Sequence, residues 1–123
     1  MGSDAKQIAR LRQRLAKAVA RAPDLAEILR GTVGERYVRC GKENCRCREG
    51  KGHGPVHYLS VSLGVGRTEQ VTLTPETYEI AQRYARNFAR LREVLEEVSA
   101  INREILRKQR LAIRQKRRDI GSE

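Results

Sequence analysis

The sequence predicts an α+β chain: short N-terminal helices, a small antiparallel β-sheet, then one long C-terminal helix able to form a coiled coil or a bundle. Three observations predict it. Apolar residues recur first at steps of three and four, then alternate with polar ones, then return to steps of three and four. No proline or glycine interrupts residues 76–120. One Phe, four Tyr, no Trp and 33% charged residues in a chain of 123 leave little material for a core of its own. The natural segments are 1–34, 35–74 and 75–123.

Residues 5–22 place Ile8, Leu11, Leu15 and Val19 on one stripe among Lys6, Arg10, Arg12, Arg14, Lys17 and Arg21, the pattern of a basic amphipathic helix. Pro23 and Asp24 break it. A second short helix carrying Leu25, Ile28 and Leu29 is expected next, with Gly31 as its C-cap. From Glu35 the period becomes two: Arg36 to Arg39 reads as a strand, Val56 to Leu63 as a second and Glu69 to Leu73 as a third, the last two joined by Gly64-Val65-Gly66-Arg67.

Thr74-Pro75-Glu76 signals a helix start, with Thr as N-cap, Pro at the first helical position and an acid at the positive end of the dipole. The helix is expected to run from about 75 to about 118, roughly 65 Å. Ala81, Phe88, Leu95, Asn102 and Gln109 fall at one heptad position and Tyr84, Leu91, Val98, Ile105 and Ala112 at another, as a and d sites would. Ile80, Val94 and Ile101 widen the stripe at g, which favours bundle contacts, including contacts with the N-terminal helices, over a bare two-stranded coil. A homo-oligomer, simplest as a homodimer, is expected through this helix.

All three cysteines, Cys40, Cys45 and Cys47, fall within fourteen residues that also hold His53. Three thiolates and an imidazole make a closed tetrahedral zinc set of the structural kind, which leaves no position for substrate. A disulfide is the weaker reading, because three cysteines cannot pair off and Cys45 and Cys47 are too close to bridge comfortably; reduced structural or redox cysteines are the other alternative. His57 is a spare ligand, less favoured than His53 because it enters a strand-like run. A structural Zn²⁺ would also staple a domain whose own core is small.

Twenty-six Lys and Arg against fifteen Asp and Glu give a formal net charge of +11, which suggests a polyanionic partner. The charge gathers in the first helix (Arg10, Arg14, Lys17), the cysteine loop (Arg36, Arg39, Lys42, Arg46, Arg48, Lys51) and the C-terminal helix (Arg110, Arg114, Arg117). Those twelve residues are the candidate nucleic-acid contacts. With only Tyr37 and Tyr58 near the basic loop, the chain lacks a stacking platform for single strands, so duplex DNA is the favoured partner. The bland alternatives are a solvated basic helix end that complements the helix dipole, and arginines that only neutralise thiolate charge.

Other classes recede. No run of about eighteen apolar residues occurs and no secretory pattern opens the chain, so neither a membrane span nor a signal is expected, and free thiolates fit a cytoplasmic location. Nothing points to a small-molecule substrate. An enzyme is disfavoured because zinc would consume the few groups with catalytic character.

The stretch Glu35-Arg-Tyr-Val-Arg-Cys-Gly-Lys-Glu-Asn-Cys-Arg-Cys, followed by Gly52-His-Gly-Pro and Tyr58-Leu-Ser, resembles a family of short bacterial and archaeal proteins known only as a domain of unknown function. The resemblance covers about residues 30–105. It implies a zinc-loop sheet followed by a long helix, ligands at Cys40, Cys45, Cys47 and His53, an aromatic residue where His57 stands, and an association with mobile elements. The leading expectation is thus a zinc-stabilised, oligomeric nucleic-acid-binding protein, a DNA-binding regulator or mobile-element accessory factor. The alternative is a protein-interaction adaptor acting through the long helix, with zinc purely structural.

Overall fold

The computed structural model describes residues 2–39, 41–42, 50 and 52–121. Helix α1 (Gly2–Ala20) is followed by a 3-10 turn (Leu25–Glu27), strands β1 (Thr32–Val38), β2 (His53–Gly64) and β3 (Arg67–Leu73), and helix α2 (Pro75–Gly121). This is the expected α+β order. The residues pack as two compact units, Met1–Pro23 with Arg90–Glu123, and Asp24–Ala89.

In the first unit α1 lies against the later part of α2 through a core of Leu11, Ala18, Ile101 and Ile105, with Ile8, Leu15 and Val98 packed around it. The two segments run antiparallel: Arg21 pairs with Glu97 at one end, while Asp4, Ala5 and Ile8 share a groove with Ala112, Gln115 and Asp119 at the other. On α1 the seam steps 8, 11, 15, 18, so Ala18 takes the place expected of Val19, which stays 55% exposed. Steps of 3, 4 and 3 keep the seam straight, and a fully buried alanine lets the backbones approach.

On α2 the residues packed with α1 are Val98, Ile101 and Ile105, at d and g positions of the heptad, and Val94, one turn earlier at g, is buried too. The a positions Leu95 and Asn102 are exposed, Leu95 by 57%. The widening of the stripe at g is what binds the N-terminal helix.

In the second unit the sheet is an antiparallel meander in the order β1-β2-β3. Glu35 faces His57 and Val33 faces Leu59 across one ladder, and His57 faces Leu73 and Leu59 faces Val71 across the other. Alternation therefore puts Val33, Glu35, His57, Leu59 and Leu73 on one face, with Leu59 its buried centre. β1 begins at Thr32, before the charged run that marked it in sequence. Gly31 at its mouth has φ +143°, and a Cβ there would meet Leu59 and the Ser60 carbonyl at 2.8 Å.

The expected second helix is only the turn Leu25–Glu27. Asp24 caps it by accepting from the Ala26 amide at 2.9 Å, and Ile28 is already extended. The groups that would have continued a helix are bonded to α2 instead: Asn87 Nδ2 donates to the Glu27 carbonyl at 2.9 Å, and the Leu29 amide to the Tyr84 carbonyl at 3.1 Å. Tertiary hydrogen bonds outweigh a marginal local preference.

At the start of α2 the N-cap is as expected and reciprocal. The Thr77 amide donates to Thr74 Oγ1 at 3.1 Å, and the Thr74 amide to Thr77 Oγ1 at 2.7 Å, a capping box with threonine at both corners.

If the g/d seam holds the first unit together, Ile101→Ala, at a site 3% exposed, should cost about 2–4 kcal/mol in denaturant unfolding. Leu111→Ala, at an exposed site, should stay within about 0.5 kcal/mol. Equal losses would mean that α1 lies on another face.

Candidate metal loop and basic surfaces

β1 and β2 meet at their open ends through the pair Val38 and His53, so the chain leaves β1 and enters β2 side by side, at a neck between the two strands. Two glycines permit that neck. A Cβ on Gly52, at φ +99°, would stand 2.9 Å from the Val38 carbonyl oxygen, and one on Gly54 would stand 2.9 Å from that of Arg36. Among the described residues nothing lies within 4 Å of a Cβ built on Gly50, and the Gly50 carbonyl accepts from Arg39 Nη2 at 3.3 Å.

His53, the fourth expected ligand, is the first residue of β2 and is exposed. It stands level with Val38, two positions ahead of Cys40 in the chain. Cys40, Cys45 and Cys47 lie outside the described residues, as do Arg46, Arg48 and Lys51. Among the described residues no group of three or more His, Cys, Asp or Glu is close enough to hold a metal. The donor set fits zinc by its chemistry: three soft thiolates and one imidazole, the last presented at a neck that glycine lets close.

His57 has a different setting. Its ring stacks on Tyr78 at a centroid distance of 4.1 Å, and its Nδ1 lies 3.9 Å from Glu35 Oε1, buried and without a hydrogen bond among the described groups. Four strand residues from His53 is about 13 Å, so the spare ligand belongs to the packing of sheet on helix. Burial pushes the Tyr78 hydroxyl above its ordinary range, and the Glu35 carboxylate raises it further by its charge and by a hydrogen bond. A tyrosine raised in the folded state contributes its full stability below pH 10 and loses it as pH rises through the folded value, so Tyr78 is un-ionised at neutral pH. Tyr78 and Asn87 carried no signal in sequence. For His57 the signal was there: it alternates in phase with Leu59, and so belongs to the packed face.

The opposite sheet face carries Arg36 over the Tyr58 ring at 5.3 Å, and that ring also covers Gly34. Arg36, Arg39 and Lys42 are exposed.

The helices of the first unit sort their charge into two ridges. On α1, Lys6, Arg10, Arg14, Lys17 and Arg21 follow one another at steps of 4, 4, 3 and 4, all exposed, along one flank of the seam. On α2, Arg103, Arg107, Arg110, Arg114 and Arg117 follow at steps of 4, 3, 4 and 3, again all exposed, over about 21 Å. Arg103 approaches Glu96 at 3.6 Å and Arg107 bonds Glu104, whereas Arg110, Arg114 and Arg117 have no ion pair among the described residues. Arg10, Arg14 and Lys17 have none either. Six of the twelve expected contacts are thus on two straight ridges, and three more surround the loop neck.

Among the described residues no helix is long and apolar enough to cross a membrane. A family model described as Domain of unknown function (DUF6788) matches residues 5–83. The match takes in α1, the sheet and the first turns of α2, earlier at both ends than the stretch 30–105 that carries the resemblance in sequence, and it stops before the arginine ridge. No curated protein and no solved structure matches the chain.

The geometry of the neck sets a contrast between neighbouring glycines. Gly52→Ala, at positive φ against a backbone carbonyl, should lower unfolding stability by on the order of 1–3 kcal/mol. Gly50→Ala should be neutral to about 0.5 kcal/mol. Thermal unfolding of the two variants decides it, and equal stabilities would contradict the described neck.

Proposed function

The chain belongs to this family of unknown function, and from that premise we propose that it is a zinc-stabilised, oligomeric nucleic-acid-binding protein that grips duplex DNA by its phosphates, as a regulator or mobile-element accessory factor would. The observation that supports this most is the ridge of Arg110, Arg114 and Arg117, continued by Arg107 and Arg103 and free of acidic partners over its last three members. Arginine held on a rigid helix loses little freedom when it meets phosphate, and its planar fork can bond two oxygens at once. The regular rise of the ridge suits a backbone that presents charge at regular intervals. Exposed aromatic faces are missing from both ridges, and at the neck Arg36 covers Tyr58 and leaves Tyr37 as one exposed ring, too little for the successive stacking that single strands need.

In this reading Cys40, Cys45, Cys47 and His53 hold Zn²⁺, which supplies a fixed centre for the 39–52 loop. The chain's own groups do the rest: Gly52 and Gly54 let the neck close, Arg39 ties the loop to the end of β1 through Gly50, and Arg36, Lys42, Arg46, Arg48 and Lys51 add positive charge around it. Purified chain should carry about one zinc, and Cys45→Ser should lose it together with part of the thermal stability.

A salt series with a short DNA duplex tests the binding. Affinity should fall steeply with salt, and changing Arg110, Arg114 and Arg117 together to Gln should flatten the log–log slope by about 2–3 while leaving helix content unchanged. Binding that ignores salt, or that the triple change does not touch, would contradict the proposal.

One observation favours the second reading, a protein-interaction adaptor: Leu95, Leu106, Ile113 and Ile120 remain exposed on α2.

A further inference from the structure

Between the α1 seam and the arginine ridge, α2 carries a stripe of mixed chemistry along 95–120. With the near side of the ridge it makes three rows. Arg103, Arg110 and Arg117 form the first. Leu106, Ile113 and Ile120 form the second, headed by Ser99, and Asn102, Gln109 and Lys116 form the third, headed by Leu95. At about 100° per residue the rows stand roughly 150°, 90° and 50° round α2 from the seam of Val98, Ile101 and Ile105. An aliphatic row thus runs between a row of guanidinium groups and a row of amides that ends in an ammonium group. The Asn102 and Gln109 side chains make no hydrogen bond among the described residues, and Leu106, Ile113 and Ile120 are each more than half exposed.

Two observations place α1 relative to this face. Arg21 bonds Glu97, which puts the basic ridge of α1 on the side of α2 away from the three rows. Ala5 and Lys116 line one groove, so the flank of α1 next to the rows is the one that carries Ala5, Arg12 and Ala16. In the antiparallel pair the exposed Arg12 stands level with about 106–109, between two alanines that leave room beside α2.

We propose that this face reads base edges in the major groove of duplex DNA. The proposal rests on the nucleic-acid function given above and adds to it a sequence recognition that phosphate contacts alone do not supply. A helix is ~10–12 Å across with its side chains and the groove is about 12 Å wide, so α2 can enter it with α1 behind. The first row then lies toward one phosphate strand, and Lys116 and Arg12 toward the other. Between the strands, the Asn102 and Gln109 amides can each donate to and accept from an adenine edge, and Leu106 and Ile113 can pack on thymine methyl groups. Asn102 to Ile113 spans about 16 Å, roughly five base pairs at ~3.4 Å each.

Charge and composition favour this occupant. From 103 to 118 eight Lys and Arg stand against one acid, Glu104. An anionic lipid surface suits a wide, unbroken apolar face, whereas here one aliphatic row lies between two polar ones. A second copy of the chain would bring the flanking arginines together.

Selection by the full chain from duplexes with a randomised centre tests the proposal. One enriched site rich in A·T pairs is expected, bound on the order of 10-fold or more tighter than a scrambled duplex. Replacing its adenines by 7-deazaadenine, which lacks the N7 acceptor, or its thymines by uracil, which lacks the methyl group, should weaken binding; neither change touches the minor-groove edge. Changing Asn102 and Gln109 together to Ala should abolish the preference. The salt slope should stay, because neither residue is charged, and helix content should not fall, because alanine is the better helix former.

Duplex binding with the steep salt slope but no enriched site, or a preference that survives the double change, overturns this inference and keeps the phosphate-gripping function. Tighter binding to phosphatidylserine vesicles than to the enriched site also overturns it and gives the face to lipid. A sedimentation mass that Leu106→Glu halves overturns it in favour of a second copy. A chain that binds no duplex at all sinks both the inference and the function it rests on.

Discussion

Everything about the surface of the first unit depends on the contact between Leu11, Leu15 and Ala18 of α1 and Val98, Ile101 and Ile105 of α2. A helix with apolar residues over half its circumference can rotate to present any part of that arc to a neighbour. The α1 seam is narrow, with an alanine at its closest point, and it accepts only the g/d rows. Once that rotation is fixed, the direction of every other residue on the segment is fixed with it. The arginines of 103–117 point to solvent and the 95–120 stripe is left open, because both follow the same 3.5-residue period at other phases.

The second unit rests on a different constraint, the approach of two strand ends. β1 and β2 converge on Val38 and His53, and the glycines on either side of His53 are there because β1 carbonyls occupy the space a side chain would need. The segment that carries the three cysteines in sequence therefore leaves and rejoins the sheet at one place. Among the described residues Leu59 is the one buried side chain of the sheet, so a metal that fixes this segment would add the stability the core lacks. On the other side the segment after the 3-10 turn is bonded to α2 through Asn87 and the Tyr84 carbonyl, so hydrogen bonds fix what apolar area does not.

The sequence carried the order of the elements, the cap at Thr74 and the continuity of α2, because each has a local cause: a period, a hydroxyl before a proline, an absence of breakers. It carried the composition of the arginine ridges too. It could not tell which phase of the α2 stripe α1 would take, since Val94, Leu95 and Val98 are equally apolar and only the partner's shape decides among them. Val19 and Ala18 pose the same ambiguity. Leu25 to Leu29 read as a helix because its alternative partners, Asn87 and Tyr84, lie some sixty residues away in the chain. His57 was ambiguous between loop and core until strand pairing set it beside Glu35 and under Tyr78. The candidate metal site was legible through its donor chemistry, with His53 the member whose place at the neck is described.

In the proposed function, the register of α2 makes its outward arginine row the surface that would meet nucleic acid. Arginine side-chain NMR during titration with a short DNA duplex addresses it most directly, with each guanidinium assigned. The Nε–Hε signals of Arg110, Arg114 and Arg117 are expected to shift together and to return on adding salt. Signals that stay in place on the ridge while others move, or that do not move at all, would contradict it.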